Sequence, residues 1–151
     1  MEIKDFELIK RIVAAPGAAA LAVGAGNEIH VAMMHYSFAD DLSAFYFSTD
    51  QNSRKVALIR ASGKRGPASL AIGTRDEDSQ FVQVDGQCMV LQGGVPEDIK
   101  DRHLDRNPSA AEFKDDPDTV YLKFTPERGV LTDYSRGEFQ IPFSSLMEAK
   151  G

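Results

Sequence analysis

Apolar and charged residues alternate at helical spacing at the start of the chain. The apolar positions there are Ile3, Phe6, Ile9, Ile12 and Val13. Residues three and four positions apart lie on one face of a helix, so this pattern predicts an amphipathic helix with one buried side. Pro16 and Gly17 predict its end, because proline cannot continue a helix and glycine favours the turn that follows.

Short apolar runs separated by turn residues follow this helix for most of the chain, which is the pattern of β-strands. The predicted strands cover residues 18–23, 28–34 with a continuation to 38, 44–48, 67–73, 80–92, 119–124 and 129–134. Residues 24–27 (Gly-Ala-Gly-Asn) predict a hairpin turn between the first two strands. Gly86 predicts a bulge or bend inside the fifth. Residues 126–128 (Pro-Glu-Arg) are expected to link the last two.

Helical patterns interrupt the strands at a few places. Ser53 is the expected cap of a helix over residues 53–62, and two short helices, over 96–104 and 109–114, are joined by Asn107-Pro108. Six to seven strands in repeated hairpins, without regular strand–helix–strand alternation, favour a mainly β fold. We therefore expect antiparallel strands in a closed or partly open barrel with an N-terminal helix.

Composition and charge narrow the class of protein. At 151 residues, with 42% hydrophobic and 26% charged residues, the chain suits a single globular domain over 1–151. Its net charge of −6 argues against a nucleic-acid groove. The single cysteine, Cys88, excludes an internal disulfide framework. The charged N-terminus and the lack of a long apolar run predict neither a secretory signal nor a membrane span. These features together predict a cytoplasmic protein.

Two basic residues stand where a helix usually prefers acidic ones. Arg54 and Lys55 fall in the first turn of the helix that begins at Ser53, next to the positive end of its dipole. A bound anion would remove this conflict, because free N–H groups, the hydroxyls of Thr49 and Ser53 and two cations would converge on one phosphate. A solvated basic turn without a ligand is the alternative interpretation.

The same segment carries a resemblance to a known family. The run 46–49 (Tyr-Phe-Ser-Thr) followed by 53–56 (Ser-Arg-Lys-Val) resembles the strand, loop and Ser-Arg-Lys motif of pyridoxamine 5'-phosphate oxidase-like flavoproteins. The similarity covers most of the chain, from the hairpin at 18–35, through the strand at 80–86, to a closing hairpin at 120–134. It implies an FMN-binding split β-barrel that works as a homodimer, with the flavin at the dimer interface.

The resemblance also implies which residues would hold FMN. Ser48, Thr49, Ser53, Arg54 and Lys55 would hold the ribityl phosphate. The backbone of Val31, Ala32, Met33 and Met34 would line the isoalloxazine ring, although core packing is the default interpretation of the two methionine side chains. Gln80 or Gln83 would reach the ring from the other subunit. The choice between these two depends on strand register, since a slip of one residue turns a side chain to the opposite face.

Some positions depart from the family pattern. Histidines, His30 and His35, replace the basic residues that help to grip the phosphate, and the chain has no tryptophan. Oxidation of pyridoxamine phosphate itself is therefore not expected. Residues 102–113 also resemble the helical insertion of relatives assigned to haem utilisation. His103, with His30 and His35, is then a candidate iron ligand, but a lone histidine in a polar helix usually faces solvent.

These observations leave several functions open. The leading hypothesis is an oxidoreductase that passes electrons between FMN and a nicotinamide donor or small organic substrate. The alternative is a split barrel that stores or senses flavin or haem without turnover, and a deazaflavin in place of FMN is a third hypothesis. No side chain is a convincing acid or base, so no catalytic residue is predicted, and no metal-ligand spacing is present.

Overall fold

The computed structural model describes residues 2–73, 79–136 and 140–144. The helices are α1 (Ile3–Ala14), α2 (Arg54–Ala61) and α3 (Glu97–Arg106), with a 3-10 helix at Pro108–Phe113. The strands are β1 (Ala19–Ala25), β2 (Glu28–Met34), β3 (Ser37–Phe38), β4 (Phe45–Asp50), β5 (Gly66–Gly73), β6 (Gln80–Val90), β7 (Thr119–Asp133) and β8 (Gln140–Phe143).

All these strands belong to one antiparallel sheet in the order β2-β1-β5-β6-β7-β4-β3, with β8 paired to β7 off this path. The mainly β fold with an N-terminal helix is confirmed. The predicted hairpin turn is confirmed too, because Ala25 pairs with Glu28 and Gly26 takes the positive φ of 58° that such a turn requires. The strand number is higher than expected.

The connection between β2 and β3 shows that the sheet curls strongly. These two strands lie at opposite edges of the sheet, yet His35 and Tyr36 are the only residues between them. An extended chain advances at most about 3.5 Å per residue, so the two edges must come within about 11 Å of each other here. The strand predicted at 28–34 is therefore confirmed as β2, but its continuation to residue 38 is wrong. The chain leaves the sheet at His35 and Tyr36, and the buried hydroxyl of Tyr36 donates a hydrogen bond of 2.6 Å to the carbonyl oxygen of Val13 in α1.

The core fills the concave side of this sheet. The alternation in β5, where every second residue is buried, shows that one face of the sheet is packed and the other is open. Apolar side chains from α1 and α2 pack on the buried face, and the largest fully buried ones include Ile9, Ile12, Leu21, Phe45, Phe47, Ile59, Leu70, Leu122 and Phe124.

The closing hairpin expected at 120–134 is wrong, because β7 is one continuous strand. Its pairing with β6 shifts by one residue where Asp85 pairs with Arg128 and Gly86 with Pro126, so Glu127 is left as an extra residue. This bulge bends the strand but does not reverse it. The bend predicted at Gly86 is confirmed, and glycine is required there because a Cβ would overlap the carbonyl oxygen of Thr125.

Candidate functional site

The first turn of α2 has unsatisfied donors and no acidic residue. Ser53 is the N-cap residue, but its side chain makes no capping hydrogen bond, and its Oγ is buried without a partner among the described residues. The first backbone hydrogen bond into the helix runs from the N–H of Ala57 to the carbonyl of Ser53. The N–H groups of the turn before Ala57 therefore have no helical acceptor, and this end of α2 can receive an anion.

Two cations adjoin this turn in different environments. Lys55 is 9% exposed, and this burial lowers the pKa of its ammonium group. No hydrogen bond or ion pair joins Lys55 to another residue of the described ranges. Arg54 is half exposed, and its Nη2 lies 3.0 Å from Oε2 of Glu28 at the start of β2. Among the described residues, the buried cation therefore has no counter-charge.

The two residues of β4 that were predicted to hold the phosphate lie on opposite faces of the strand. Successive side chains of a strand point to opposite faces, so Ser48 and Thr49 of β4 point apart. Thr49 shares the core face with Phe47, whereas the Oγ of Ser48 lies 3.2 Å from Nε2 of His103 in α3. Ser53, Arg54 and Lys55 are consecutive at the start of α2, while the hydroxyl of Ser48 is directed away from Thr49 and toward α3.

His103 is buried, contrary to the expectation that it faces solvent. Its side chain is 1% exposed, with Nδ1 2.8 Å from the Oγ of Ser37 and its ring edge-on to Tyr121. Burial, with smaller contributions from nearby His35 and Arg106, lowers the pKa of His103 to about 4. Since both ring nitrogens contact serine hydroxyls, iron ligation would require His103 to leave these contacts. No local pattern in the sequence indicates these contacts, because His103 is 66 positions from Ser37 and 55 positions from Ser48.

The convex side of the sheet carries exposed apolar residues. Ile29, Val31 and Met33 of β2 are 79%, 60% and 69% exposed, whereas Met34 is buried. Cross-strand partners share a face, and the pairings that continue the face are Val31 with Ala22, Met33 with Ala20, Ala20 with Ala71, and Ala71 with Gln83. We call this surface, formed by Ala20, Ala22, Ile29, Val31, Met33, Ala71 and Gln83, the open sheet face.

The predicted flavin-side residues therefore fall on two faces. Val31, Met33 and Gln83 lie on the open sheet face, and Ala32 and Met34 point to the other side of β2. Gln80 lies on the side of β6 that faces the core. The pKa of Asp133 is lowered chiefly by a side-chain hydrogen bond from Ser135, and a side-chain hydrogen bond from Gln80 adds a smaller contribution. The prediction that the methionine side chains pack in the core is confirmed for Met34 and wrong for Met33, which is exposed. The alternation of Ile29, Val31 and Met33 is a signal in the sequence, but alternation alone does not say which face is buried.

A cavity of about 1000 Å³ lies elsewhere, between the end of α1, β3 and α3. Its wall includes His35, Phe38, Asp101, Arg102 and Arg106. None of the residues predicted to hold FMN lines it. Within the described ranges, no group of three or more His, Cys, Asp or Glu side chains could hold a metal ion. No helix in these same ranges has the length and apolar character needed to cross a membrane.

The sequence matches no protein-family model, and no curated protein matches it. Solved structures are similar in fold. A Clostridium acetobutylicum protein related to general stress protein 26 of B. subtilis, of the pyridoxinephosphate oxidase family, has a TM-score of 0.73 and 17% identity over 95% of this chain and 96% of its own. General stress protein 26 from Bacillus anthracis has a TM-score of 0.67 and 21% identity over 83% and 92%. A heme binding protein from Mycobacterium smegmatis has a TM-score of 0.77 and 18% identity, with 97% of this chain covering 60% of that one.

These comparisons confirm the resemblance at the level of fold. The chain has the split β-barrel fold of pyridoxamine 5'-phosphate oxidase-like proteins. One of these neighbours is a heme binding protein and another is of the pyridoxinephosphate oxidase family, so likeness of fold does not identify a ligand. The ligand of this chain must therefore be inferred from its own residues.

Proposed function

We propose that this protein is an FMN-binding flavoprotein that holds the phosphate of the cofactor at the start of α2. The observation that carries the proposal is the buried Oγ of Ser53, which has no partner in the described chain. Lys55, two residues further on, is buried and has no ion pair among the described residues either. Buried polar atoms are almost always hydrogen-bonded in proteins, so an orphaned hydroxyl in the same helical turn as a buried cation favours a missing anionic partner.

The residues at this turn suit a phosphate monoester. Ser53 offers a hydroxyl, the first turn offers free N–H groups, and Lys55 and Arg54 offer charge. Thr49 is the remaining hydroxyl that we expect to take part, whereas Ser48 faces α3. Hydrogen bonds between charged groups contribute about 1.5–3 kcal/mol each. The phosphate should therefore account for much of the affinity, and riboflavin, which lacks it, should bind more weakly than FMN.

When bound, FMN supplies hydride or electron transfer, and the protein supplies placement. We accordingly propose an oxidoreductase that uses a nicotinamide donor or a small organic substrate. We do not expect pyridoxamine phosphate oxidase activity, because the chain has no tryptophan and has histidines where that family's strand has basic residues. We name no catalytic residue.

The open sheet face supports the proposed homodimer. Large exposed apolar residues on alternate positions of one strand, and so on one face, are typical of an interaction surface. Ile29, Val31 and Met33 form such a row. In a two-fold dimer the same patch meets itself. Gln83, on the same face, is then the glutamine placed to approach the flavin of the other subunit, rather than Gln80.

The absorption spectrum of the purified protein, before and after denaturation, tests the cofactor. We expect a two-banded yellow spectrum that releases FMN, or FMN binding on titration if the protein is colourless. An intense Soret band would instead support haem, and a chromophore with the spectrum of a deazaflavin would support that cofactor. With FMN bound, consumption of NADH or NADPH supports the enzyme, and its absence with a tightly held flavin supports a non-catalytic binding protein.

Substitution at the turn tests the phosphate site. Replacement of both Arg54 and Lys55 by alanine should weaken FMN binding by about 100-fold or more, the loss of roughly two charged hydrogen bonds, and should change riboflavin binding little. The double variant Arg60→Ala and Lys64→Ala is the matched control, because it removes two exposed cations from the other end of the same helix and the loop after it. Unchanged FMN affinity in the first variant would contradict the proposed site.

A further inference from the structure

A carboxylate outside the predicted site contacts one of its two cations. Glu28 is the first residue of β2 and lies on the side of the strand opposite to Ile29, Val31 and Met33. Its Oε2 is 3.0 Å from Nη2 of Arg54. The hairpin turn and the start of α2 are 26 residues apart in sequence, so only the tertiary fold brings this acid to the site.

The net positive charge at the start of α2 is therefore smaller than the negative charge of a phosphate monoester. Arg54 and Lys55 contribute two positive charges, and Glu28 offsets one of them. A phosphate monoester carries about −1.5 to −2 charges near neutral pH. A phosphate that took up the guanidinium of Arg54 would compete with Glu28 for it and would bring two anions close together.

We propose that Glu28 is an internal competitor of the cofactor's phosphate and thereby lowers the affinity of the site for it. This inference rests on the proposed function. Glu28 does not hold the phosphate: it engages Arg54 when phosphate is not there, and it opposes the phosphate when that group is bound. Lys55, which has no counter-charge in the described chain, is then the cation that holds the phosphate most strongly.

The expected effect is modest, because the side chains of Arg54 and Glu28 are 54% and 61% exposed. Exposed ion pairs of this kind contribute little and are screened by salt. Removal of the carboxylate should therefore tighten FMN binding by about two- to five-fold at low ionic strength, and by less at high ionic strength. Riboflavin binding should not change, since no phosphate is present to be opposed.

The test is titration of Glu28→Gln and wild type, each freed of copurified flavin, with FMN and with riboflavin. Asp40→Asn is the matched control, because Asp40 is also an exposed carboxylate paired with an arginine. Its Oδ2 lies 3.3 Å from Nη2 of Arg102, and neither residue belongs to α2 or contacts Arg54. Tighter FMN binding in Glu28→Gln only, with riboflavin unchanged, is the expected result. Arg54→Gln should then cost more FMN affinity when combined with Glu28→Gln than when made alone, because Arg54 no longer has a competing partner.

The outcomes separate this inference from the proposed function. Wild-type protein that prefers FMN to riboflavin, together with unchanged or weaker FMN binding in Glu28→Gln, would overturn the competitor role and leave the phosphate site standing. An equal gain in the Asp40→Asn variant would reduce the effect to overall charge and overturn the role as well. Wild-type protein with no preference for FMN over riboflavin would overturn both proposals together.

Discussion

At the scale of the residue, Ser53 has the position of a helix cap without forming the cap. Capping serines normally accept a hydrogen bond from the second or third N–H of the helix. The Oγ of Ser53 makes no such bond and is buried without a partner in the described chain. A buried hydroxyl in this state costs free energy in the folded protein. The proposed phosphate would supply the partner that this hydroxyl lacks among the described residues.

If Ser53 binds the phosphate, the Ser53→Ala substitution should weaken FMN binding without lowering the free energy of unfolding. Loss of a working cap costs about 0.5–2 kcal/mol, but here we expect the free energy of unfolding to stay the same or to rise, because no bond is lost and a buried hydroxyl without a partner is removed. FMN affinity should fall by about five- to ten-fold, the value of one hydrogen bond of about 1–1.5 kcal/mol.

Urea unfolding and FMN titration measure the two effects. Ser37→Ala is the matched control, because it removes the 2.8 Å contact with buried His103, and it should destabilise the protein by about 1 kcal/mol or more. A loss of stability in Ser53→Ala as large as that in Ser37→Ala would show that Ser53 has a structural role.

At the scale of the element, α3 is attached to the barrel by polar side chains. His103 is its one buried residue in the described chain. Arg106 donates to carbonyl oxygens of α1 and of Tyr36, and its guanidinium lies 4.6 Å from the centroid of the Tyr36 ring. Asn107, which follows the helix, also donates to the carbonyl of Tyr36. Such a helix depends on hydrogen bonds and on the protonation state of His103.

The attachment of α3 should therefore weaken in acid. The pKa of His103 is about 4 in the folded protein and about 6.5 in an unfolded chain. Above pH 6.5 both states are neutral and stability does not depend on this group. Between pH 6.5 and 4 the unfolded chain binds the proton first, so the free energy of unfolding falls as pH falls, by at most about 1.4 kcal/mol per pH unit.

Urea unfolding at pH 7, 5.5 and 4.5 measures this dependence (these values span the expected window, about 4 to 6.5). His103→Gln, which cannot be protonated, should be less stable at pH 7 and should lose less stability between pH 7 and 4.5 than the wild type. Parallel pH dependence in the two proteins would assign the acid sensitivity to other groups.

At the scale of the molecule, the described helices cover only one face of the curled sheet. The helices α1 and α2 pack on the concave face. On the convex face, Val31 and Met33 stand beside the small side chains of Ala20 and Ala22. β2 is also an edge strand, which natural proteins seldom leave apolar and exposed. A second copy of the chain is the occupant that the proposed homodimer supplies.

Met33→Lys should accordingly weaken self-association by tenfold or more, roughly the cost of a residue central to an interface. In a two-fold dimer each substitution acts on both subunits. Sedimentation velocity across a range of concentrations measures the change. Ile3→Lys is the control, because Ile3 is similarly exposed, at 62%, but lies at the start of α1. A wild type that stays monomeric at all concentrations would contradict the dimer.

Much of the fold follows from local patterns in the sequence. The spacing of apolar residues such as Ile9 and Val13 predicts α1. The glycines of residues 24–27 predict the first hairpin, and Gly86 predicts the bend in β6. β7 could not be predicted as one strand, because Pro126 is a usual turn residue and the bulge that admits it depends on the partner strand. For the site, the Ser-Arg-Lys run marks the start of α2, but no local signal links it to Glu28.

The sequence by itself determined the helices, most of the strands, the first hairpin turn and the basic start of α2, since these depend on residues within a few positions of one another. Only the tertiary structure decided which side of β2 is buried, that His103 lies inside the protein, and that Glu28 reaches Arg54. The physical reason is that alternation in the sequence distinguishes the two faces of a strand but does not indicate which face is buried. Contacts between residues 26 or more positions apart depend on how the whole sheet curls.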